Sequence, residues 1–392
     1  MQPIAIYANR ALTPFEDISD AVVVIQGSRI TAVGQRGRIV LPRGAREITT
    51  QGKTIVPGFV DVHIHGAGGH DVMEGNAEAL EIIAGTVARH GTTSFVATTV
   101  TASQIETCDS VGGIARFILN SSQFAARELG AEILGIHFEG PFISRARRGV
   151  HPEEWILAPS TAFLAQLLKE ARGTAQILTL APELPGALEL IDAARQAGLV
   201  VSIGHTDANY EQALAAINAG ATHAAHVFNA MRPFSHRGTG VIGAVLTSPK
   251  VSAELIADKI HVDEAAMRML VDLKTPERVI LVSDGTSATG MPDGKYQLGR
   301  LEVKVSGGVC RNAEGKLAGS TLTLDRALQN IVALGVPLAS AVRMVTANPA
   351  RQIGLGSRKG ILAVGADADL VFLDDKLEVS GVMTRGVGLD LS

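Results

Sequence analysis

Eight short apolar runs alternate with helical patterns through the middle of the chain, and this alternation constrains the fold more than any other feature. The runs are GFVDVHIHG, TTSFVATTV, EILGIHFEG, AQILTLAPE, LVVSIGHT, ATHAAHVFNAM, VSAELIADKIHV and RVILVSDGT. Strands that alternate with helices predict parallel βαβ units. Eight such units predict an α/β fold of the (β/α)8, TIM-like barrel type, whose active site lies at the C-terminal ends of the strands. No GxGxxG turn follows the first run, which argues against a dinucleotide-binding fold.

The two ends of the chain have a different pattern. Residues 1–56 are rich in β-branched runs, such as AVVVIQGSRITAVG with its Gly-Ser turn, and residues 356–392 contain short apolar strands between acidic turns. We expect these two segments to pair into a small β-sandwich domain and residues 57–355 to form the barrel. The stretch LEVKVSGGVCRNAEGKLAGS predicts a hairpin inserted after the last barrel strand.

Composition excludes several classes of protein. The formal net charge of −4 gives no basic surface for nucleic acid. No run reaches 18 consecutive apolar residues, so we expect no membrane span. The two cysteines, Cys108 and Cys310, are too few for a disulfide framework or a thiolate metal site. We expect a cytoplasmic protein that acts on a small molecule.

Polar residues collect at the predicted C-terminal ends of the strands. Seven of the eight runs carry one there, namely His63 with His65, Glu139, Glu183, His205, His226, His261 and Asp284. A lone histidine at a strand end is usually structural. Four imidazoles with one carboxylate at the same end of one barrel instead suit one or two divalent ions. We therefore predict His63, His65, Glu139, His205 and His226 as metal ligands, with Zn²⁺ favoured and Fe, Mn, Co or Cd as alternatives.

Asp284 ends the last apolar strand, in LVSDGT. Taken alone, it could also be a helix N-cap or a turn residue, although this is the less favoured interpretation. Beside a metal ion, a carboxylate can take a proton from water and pass it to a leaving group. Next to the predicted histidine set, this catalytic role is favoured.

The motifs PGFVDVHIHG, HFEGPF, GHT, HVFNAM, LVSDGT and LAGSTLTLD, in this order, resemble the amidohydrolase superfamily. Within it they resemble the deacetylases that act on N-acetylglucosamine 6-phosphate. The resemblance covers nearly the whole chain and implies a metal-dependent hydrolase that releases acetate from an N-acetylated amino-sugar phosphate. It implies that Glu139, His205 and His226 hold one ion and that His63 and His65 complete a second site.

The resemblance also implies roles for residues that spacing alone does not single out. His151 matches a histidine that polarises the acetyl carbonyl, and His261 matches one that contacts the sugar. Asn229 and Ala230 would bind the phosphate. Arg237 would reach the phosphate of the other subunit in a homodimer, although an arginine in a loop is by itself more often a solvated surface residue.

A last implied site is the loop of Ala318, Gly319 and Ser320, which would close over the sugar.

The chain departs from the family pattern twice. Arg237 is followed by Gly-Thr-Gly rather than Glu-Pro-Gly, and Lys259 stands where the family has glycine before His261. Neither departure touches the predicted metal ligands or Asp284.

Three other functions stay open from the sequence. A deacetylase of another amino-sugar phosphate, such as the galactosamine epimer, would share every motif. A cyclic-amide hydrolase, such as a dihydroorotase or hydantoinase, typically has a lysine on the fourth strand, but AQILTLAPE has none. A non-catalytic barrel would have lost the ligands and Asp284, which are all present.

Overall fold

The computed structural model describes residues 2–120 and 130–388. Met1, residues 121–129 and residues 389–392, which the predicted domain ranges include, lie outside the described residues. The chain opens with four strands of one sheet, β1 (Ile4–Leu12), β2 (Asp17–Gln26), β3 (Arg29–Gln35) and β4 (Arg46–Pro57). β1 and β2 are antiparallel, whereas β1 and β4 are parallel.

The next strands form the predicted barrel. β5 (Phe59–Ile64) is followed by a two-stranded ribbon, β6 (Gly66–Ala67) and β7 (His70–Asp71). The remaining barrel strands are β8 (Thr92–Thr99), β9 (Glu132–Glu139), β10 (Ala175–Leu180), β11 (Val200–Ile203), β12 (His223–Ala224), β13 (Ser252–Leu255) and β14 (Val279–Leu281). They join in the order β5-β8-β9-β10-β11-β12-β13-β14. Because parallel strands of such a barrel are covered on both faces, β5 and β8 are buried along their whole length.

Helices cover the outside of the barrel. They are α1 (Ala77–Ala88), α2 (Gln104–Asn120), α3 (Thr161–Ala171), α4 (Ala187–Gln196), α5 (Tyr210–Ala219), α6 (Gly240–Thr247) and α7 (Glu264–Lys274). Short 3-10 turns occur at Val72–Glu74, Arg145–Arg147 and Glu153–Trp155. Several helices begin at side-chain caps, for example Asn209, which accepts from the N–H of Gln212 at the start of α5. Among the described helices, none combines the length and the apolar character needed to cross a membrane.

The predicted hairpin after the barrel is a three-stranded antiparallel sheet, formed by β15 (Gly294–Leu298), β16 (Leu301–Ser306) and β17 (Val309–Asn312). Three helices follow, α8 (Leu324–Ala333), α9 (Leu338–Val345) and α10 (Ala347–Gln352). The chain then returns to the first sheet with β18 (Leu370–Leu373) and β19 (Val379–Met383).

The two ends of the chain pair as predicted. β18 lies antiparallel to β4, and the complete sheet has the order β19-β18-β4-β1-β2-β3. This sheet has its own apolar core, which includes Ile6, Val23, Ile55 and Phe372 and is separate from the large core of the barrel. The fold class is therefore confirmed, with a (β/α)8 barrel and a separate sheet made by the two termini.

The later barrel strands are shorter than the sequence predicts. The sixth run contributes only His223–Ala224 to the barrel, so His226 lies in the loop that follows. The seventh contributes Ser252–Leu255, so the prediction that His261 ends this strand is wrong. Apolar side chains continue beyond both strands because the loops above the barrel are themselves buried, which makes the runs look longer than their hydrogen-bonded part.

Candidate active site

The seam that closes the barrel brings Asp284 to the first strand. The N–H of Asp284 donates to the carbonyl of His63 at 2.9 Å, and the N–H of His65 donates to the carbonyl of Gly285 at 2.8 Å. Two segments more than 200 positions apart in sequence are thereby fixed side by side. The His-x-His pair and Asp284 share the C-terminal mouth of the barrel as a direct result of closure.

Three of the predicted metal-binding and catalytic residues have left-handed backbone. φ is +46° at His205, +25° at His226 and +49° at Asp284. Side-chain-bearing residues rarely adopt this region, and where they do the surrounding structure must enforce it, often at functional sites. The turns point all three side chains back over the barrel mouth rather than along the outgoing loop.

Glu139, at the end of β9, is the centre of a buried histidine cluster. Its Oε1 lies 3.2 Å from Nε2 of His63, 3.2 Å from Nε2 of His205 and 2.9 Å from Nε2 of His226. Its Oε2 lies 3.4 Å from Nε2 of both His65 and His151. Nε2 of His65 is also 3.2 Å from Oδ1 of Asp284. The structure thus brings together all five predicted metal ligands and both predicted catalytic residues.

The outer nitrogens of three rings fix where their protons lie. Nδ1 of His65 donates to the carbonyl of Thr98 at 2.9 Å, and Nδ1 of His205 donates to the carbonyl of Arg147 at 3.0 Å. Nδ1 of His63 donates to the Glu254 carboxylate at 2.8 Å. Because each Nδ1 carries a hydrogen, each neutral ring directs the lone pair of Nε2 at the centre of the cluster, as a metal ligand requires.

His151 has the opposite arrangement. The backbone N–H of Thr101 donates to Nδ1 of His151 at 3.2 Å, and the hydroxyl of Thr101 lies 2.8 Å from the same atom. A backbone N–H can only donate, so Nδ1 is the acceptor and the neutral ring carries its proton on Nε2. This N–H faces the cleft and is suited to a substrate oxygen.

The cluster fits a divalent ion on several grounds. The groups His63, Glu139 and His226, and His63, His65 and Asp284, each place three ligand atoms within 4.8 Å of one another. Nε2 of His63 is buried and, although it lies 3.2 Å from Oε1 of Glu139, it makes no well-aligned hydrogen bond to any described residue. Nε2 of His205 and Nε2 of His226 lie only 3.1 Å apart, as two ligands of one cation do. The mixture of imidazole and carboxylate suits zinc and similar ions.

Burial and neighbouring charge shift the pKa values of the histidines. Burial favours neutral rings and lowers the pKa of His205 to about 4. Burial acts in the same direction on His63, but the Glu254 and Glu139 carboxylates raise its pKa well above the ordinary value. A proton on Nε2 of His63 therefore occupies the position that a cation would take, and the two compete for it.

Neighbouring histidines lower the pKa values of the two carboxyl groups in the cluster. Burial raises the pKa of a carboxyl group, but His63 and His205 overcome this at Glu139 and hold its pKa well below the ordinary range. At Asp284, His65 and His63 likewise outweigh burial and lower the pKa. Both carboxylates are therefore ionised at neutral pH and available as a ligand and a proton acceptor.

The cluster forms the floor of a cleft of about 700 Å³, counting space that is open to solvent. Asn229, Ala230, His261 and Gly319 also line the cleft, together with the apolar side chains of Val100, Val150, Leu298 and Leu317. Nδ1 of His261 donates to Asp258 at 2.6 Å, which leaves its Nε2 to face the cleft. Lys259 has φ of +64°, a backbone conformation that favours glycine. Its ammonium pairs with Glu264, and Lys259 is not among the described residues that line the cleft.

Three predicted substrate residues lie away from the cleft wall. Ala318 is fully buried in the apolar cluster behind it. The hydroxyl of Ser320 donates to the carbonyl of Ser283, and its N–H donates to the carbonyl of Asp284 at 2.8 Å, so it supports the turn that carries Asp284. Arg237 lies on an exposed loop and is not among the residues of the described chain that line the cleft.

Sequence reasoning missed the residues that orient the histidines. Thr101 and Asp258 each contact one ring, of His151 and His261, and Glu254 contacts two, of His63 and His223. No motif marks these three residues in a single sequence. Glu254 had the clearest signal, because it is a carboxylate inside the apolar run VSAELIA. Glu183, singled out at the end of its run, accepts from the hydroxyl of Thr206 at 2.5 Å and the N–H of Asp207 at 2.6 Å, and so supports the loop after His205.

Comparison with known proteins adds three similarities. The model of the Amidohydrolase family matches residues 54–388. An N-acetylglucosamine-6-phosphate deacetylase from Lysinibacillus sphaericus is 38% identical over 355 residues, which cover 90% of this chain and 90% of that protein. An N-acetylgalactosamine-6-phosphate deacetylase from Escherichia coli O157:H7 is 38% identical over 333 residues, which cover 85% of this chain and 86% of that protein.

Solved structures agree with these sequence similarities. A mutant N-acetyl-D-glucosamine-6-phosphate deacetylase from Mycobacterium smegmatis, in complex with N-acetyl-D-glucosamine-6-phosphate, superposes with a TM-score of 0.91 at 37% identity. The superposition covers 99% of each chain. The similarity therefore extends over both the barrel and the terminal sheet.

Proposed function

Since the chain belongs to the amidohydrolase family, we propose that it removes the acetyl group from N-acetylglucosamine 6-phosphate and releases glucosamine 6-phosphate and acetate. One observation carries the proposal. At the floor of the cleft, three rings (His63, His65 and His205) give their Nδ1–H to an acceptor and turn Nε2 inward as a ligand atom, and His151 turns an N–H inward beside them. This is the donor set of a metal-dependent hydrolase, in a chain that matches such deacetylases along nearly its whole length.

His63, His65, Glu139, His205 and His226 would hold one or two divalent ions. Zinc is the first choice because imidazole and carboxylate are among its usual ligands, and Fe, Mn, Co or Cd are alternatives. A bound ion of this kind lowers the pKa of water towards about 7 and polarises a carbonyl oxygen. Elemental analysis of the purified protein, with chelation and re-addition of single metals, identifies the ion.

Asp284 and His151 supply the proton chemistry in this proposal. Asp284 is ionised and 8% exposed, so it can accept a proton from the attacking water. It then passes that proton to the departing amine of the sugar. His151 donates its Nε2–H to the oxygen of the acetyl carbonyl as negative charge develops there.

The remainder of the cleft would recognise the sugar phosphate. We place the phosphate at Asn229 and Ala230 and the sugar hydroxyls at His261 and the Ala318, Gly319 and Ser320 loop, of which Gly319 faces the cleft. Arg237 would complete the phosphate site across a homodimer interface, which is consistent with its exposed position outside its own cleft. A guanidinium suits phosphate because its planar fork donates to two oxygens.

Mixed dimers test the interface role of Arg237 directly. Arg237→Ala should raise KM for the phosphorylated sugar, and Asp284→Asn should abolish turnover. If arginine acts in the partner's site, co-expression of both variants restores low-KM activity, because one site then combines an intact Asp284 with the partner's Arg237. If no low-KM activity returns in purified mixed dimers, Arg237 acts in its own subunit. An unchanged KM of Arg237→Ala alone would mean that Arg237 has no role in phosphate binding.

The galactosamine epimer is the second candidate substrate, since one relative at 38% identity is a deacetylase of N-acetylgalactosamine 6-phosphate. The deciding experiment is a kcat/KM panel of N-acetylglucosamine, N-acetylgalactosamine and N-acetylmannosamine, each with and without the 6-phosphate. We expect N-acetylglucosamine 6-phosphate to give the highest value. A higher kcat/KM for N-acetylgalactosamine 6-phosphate would make that sugar the substrate. If none of the tested metals supports acetate release from any sugar of the panel, the proposed activity is refuted.

We propose a cytoplasmic location for this reaction. Cys108 and Cys310 are both free thiols, as proteins of reducing compartments usually have. Fractionation of the native host, with detection of the protein by antibody, tests the location.

A further inference from the structure

Glu254 is a buried carboxylate with an unusual set of partners. It lies in β13 and is 0% exposed, and no lysine or arginine of the described chain pairs with it. Its Oε2 accepts from Nδ1 of His63 at 2.8 Å and from the backbone N–H of His226 at 2.9 Å, and its Oε1 lies 2.7 Å from Nε2 of His223. Burial of a carboxylate without hydrogen bonds is costly, so these contacts stabilise Glu254 in its position. Glu254 in turn orients the groups of His63, His223 and His226 that it contacts.

The contact with His63 determines what that ring offers to the cleft. With Nδ1–H donated to Glu254, the lone pair of Nε2 points at the space between Glu139, 3.2 Å away, and Asp284, 3.6 Å away. A ring rotated about its Cβ–Cγ bond would lose both the donor contact and this direction. Carboxylate partners of ligating histidines typically strengthen metal affinity 10- to 100-fold.

Glu254 also reaches the other half of the cluster. His226 has left-handed backbone, and its N–H, donated to Glu254, fixes the turn that aims its ring at Glu139. One side chain therefore connects the first barrel strand to the loop after β12. By contrast, His65 and His205 are oriented by backbone carbonyls, which no substitution removes.

We propose that Glu254 is a positioning residue that orients His63 and thereby creates the second of two divalent-ion sites. It presents no atom to the cleft and does not touch substrate. The inference rests on the proposed metal-dependent function but not on the identity of the sugar, because metal affinity is measured without substrate.

Two variants separate hydrogen bonding from charge. Glu254→Leu removes every acceptor. Glu254→Gln keeps an acceptor oxygen for His63 and His226, and its NH2 can face Nε2 of His223, whose buried Nδ1 has no partner among the described residues and is free to take the proton. His63→Asn removes the ligand itself and defines the behaviour of a protein that lacks the second site.

The experiment is calorimetric titration of the metal-free full-length variants with Zn²⁺ alone. We expect wild type to bind two ions and Glu254→Leu to resemble His63→Asn, with the ion at His63 weakened at least tenfold. The ion at Glu139, His205 and His226 should weaken less, because Glu254 contacts only the backbone N–H of His226. Glu254→Gln should keep both ions, with the second weakened less. Asp369→Asn, a buried carboxylate at the opposite end of the barrel, controls for general destabilisation and should leave both affinities unchanged.

Three results would overturn the proposal. Wild type could bind a single ion, Glu254→Leu could bind both ions normally, or both ions could weaken equally in Glu254→Leu. Should Glu254→Leu fail to fold, Glu254→Asp replaces it, because the shorter side chain keeps the charge but withdraws the acceptor from Nδ1 of His63. Undiminished affinity for both ions in Glu254→Asp would overturn the proposal. A wild type that binds two ions but does not deacetylate N-acetylglucosamine 6-phosphate would instead count against the proposed substrate.

Discussion

The partner of the outer ring nitrogen decides whether a histidine of this cleft can hold an ion or donate a hydrogen bond. Nδ1–H of His205 donates a hydrogen bond to a backbone carbonyl, whereas Nδ1 of His151 accepts one from a backbone N–H. Both Nε2 atoms approach Glu139 at similar distances, 3.2 and 3.4 Å. Distance therefore does not distinguish their roles, but the direction of the proton does.

This distinction predicts different phenotypes for two similar substitutions. His151→Asn should lower kcat by about 10²- to 10³-fold, the usual cost of one oxyanion donor, with metal content unchanged. His205→Asn should lose metal, and with it activity. Steady-state kinetics and elemental analysis on the same preparations provide both readouts, and metal loss from His151→Asn as large as from His205→Asn would make His151 a ligand instead.

Asp284 offers a second test at single-residue scale. Asn keeps the size of Asp and the backbone bonds to His63 and Ser320, but it cannot carry the proton. We expect Asp284→Asn to lower kcat by at least about 10²-fold, the smaller end of the range for general acid–base catalysis. If kcat stays within about tenfold of wild type at equal metal content, another group moves the proton.

At the scale of elements, the sequence predicts what periodicity and turn chemistry encode. The eight strands, the outer helices and the pairing of the terminal segments all follow from local patterns. The lengths of the last three strands do not, because buried loops such as that after β13 are as apolar as strands. The partners of the histidines are also invisible, since Thr101 and Glu254 meet their rings only through tertiary packing.

The β15–β17 sheet is an element whose attachment can be tested. It contributes Leu298 to the cleft. Just beyond that residue, the guanidinium of Arg300 lies 5.6 Å over the ring of Trp155 and pairs with Glu106 at the start of α2. These contacts tie the sheet to two elements of the barrel. Arg300→Gln should therefore loosen this wall of the cleft and raise KM by up to about fivefold, since an exposed ion pair contributes at most about 1 kcal/mol.

The chain provides a matched control for this variant. Lys295 and Glu302 form an ion pair at 2.9 Å within the same sheet, and that pair links no other element. Lys295→Gln should leave KM unchanged. Equal changes of KM in the two variants would indicate a general effect of surface charge rather than attachment of the sheet.

At the scale of the whole molecule, a buried charge cluster joins the base of the barrel to the terminal sheet. The side chain of Lys359 is fully buried, and its ammonium lies 2.6 Å from Glu132 at the start of β9. It also lies 2.9 Å from Asp367 and 2.7 Å from Asp369, next to β18. Substitution of any one of these charged residues should destabilise the fold, because the charges that remain are buried without their partner.

Glu132 makes the stability of this junction depend on pH. Burial alone would raise its pKa, but Lys359 and Arg358 lower it from 4.5 to about 2. A carboxyl group with a depressed pKa contributes stability that is complete above its unfolded pKa and is lost as pH falls through the folded value. Between about pH 5 and pH 2, the contribution of Glu132 should therefore disappear. Its size at neutral pH is on the order of 3 kcal/mol.

Urea unfolding of wild type and Glu132→Gln at several pH values measures this contribution. The difference in unfolding free energy should be largest at pH 7 and should shrink steadily between pH 5 and pH 3. In this range the unfolded chain binds a proton at Glu132, and the folded protein must release that proton because its Glu132 stays ionised. Glu302→Gln, which alters an exposed pair, should show little difference at any pH. A difference for Glu132→Gln that stays constant over this range would mean that packing of the side chain, not its charge, holds the two parts of the molecule together.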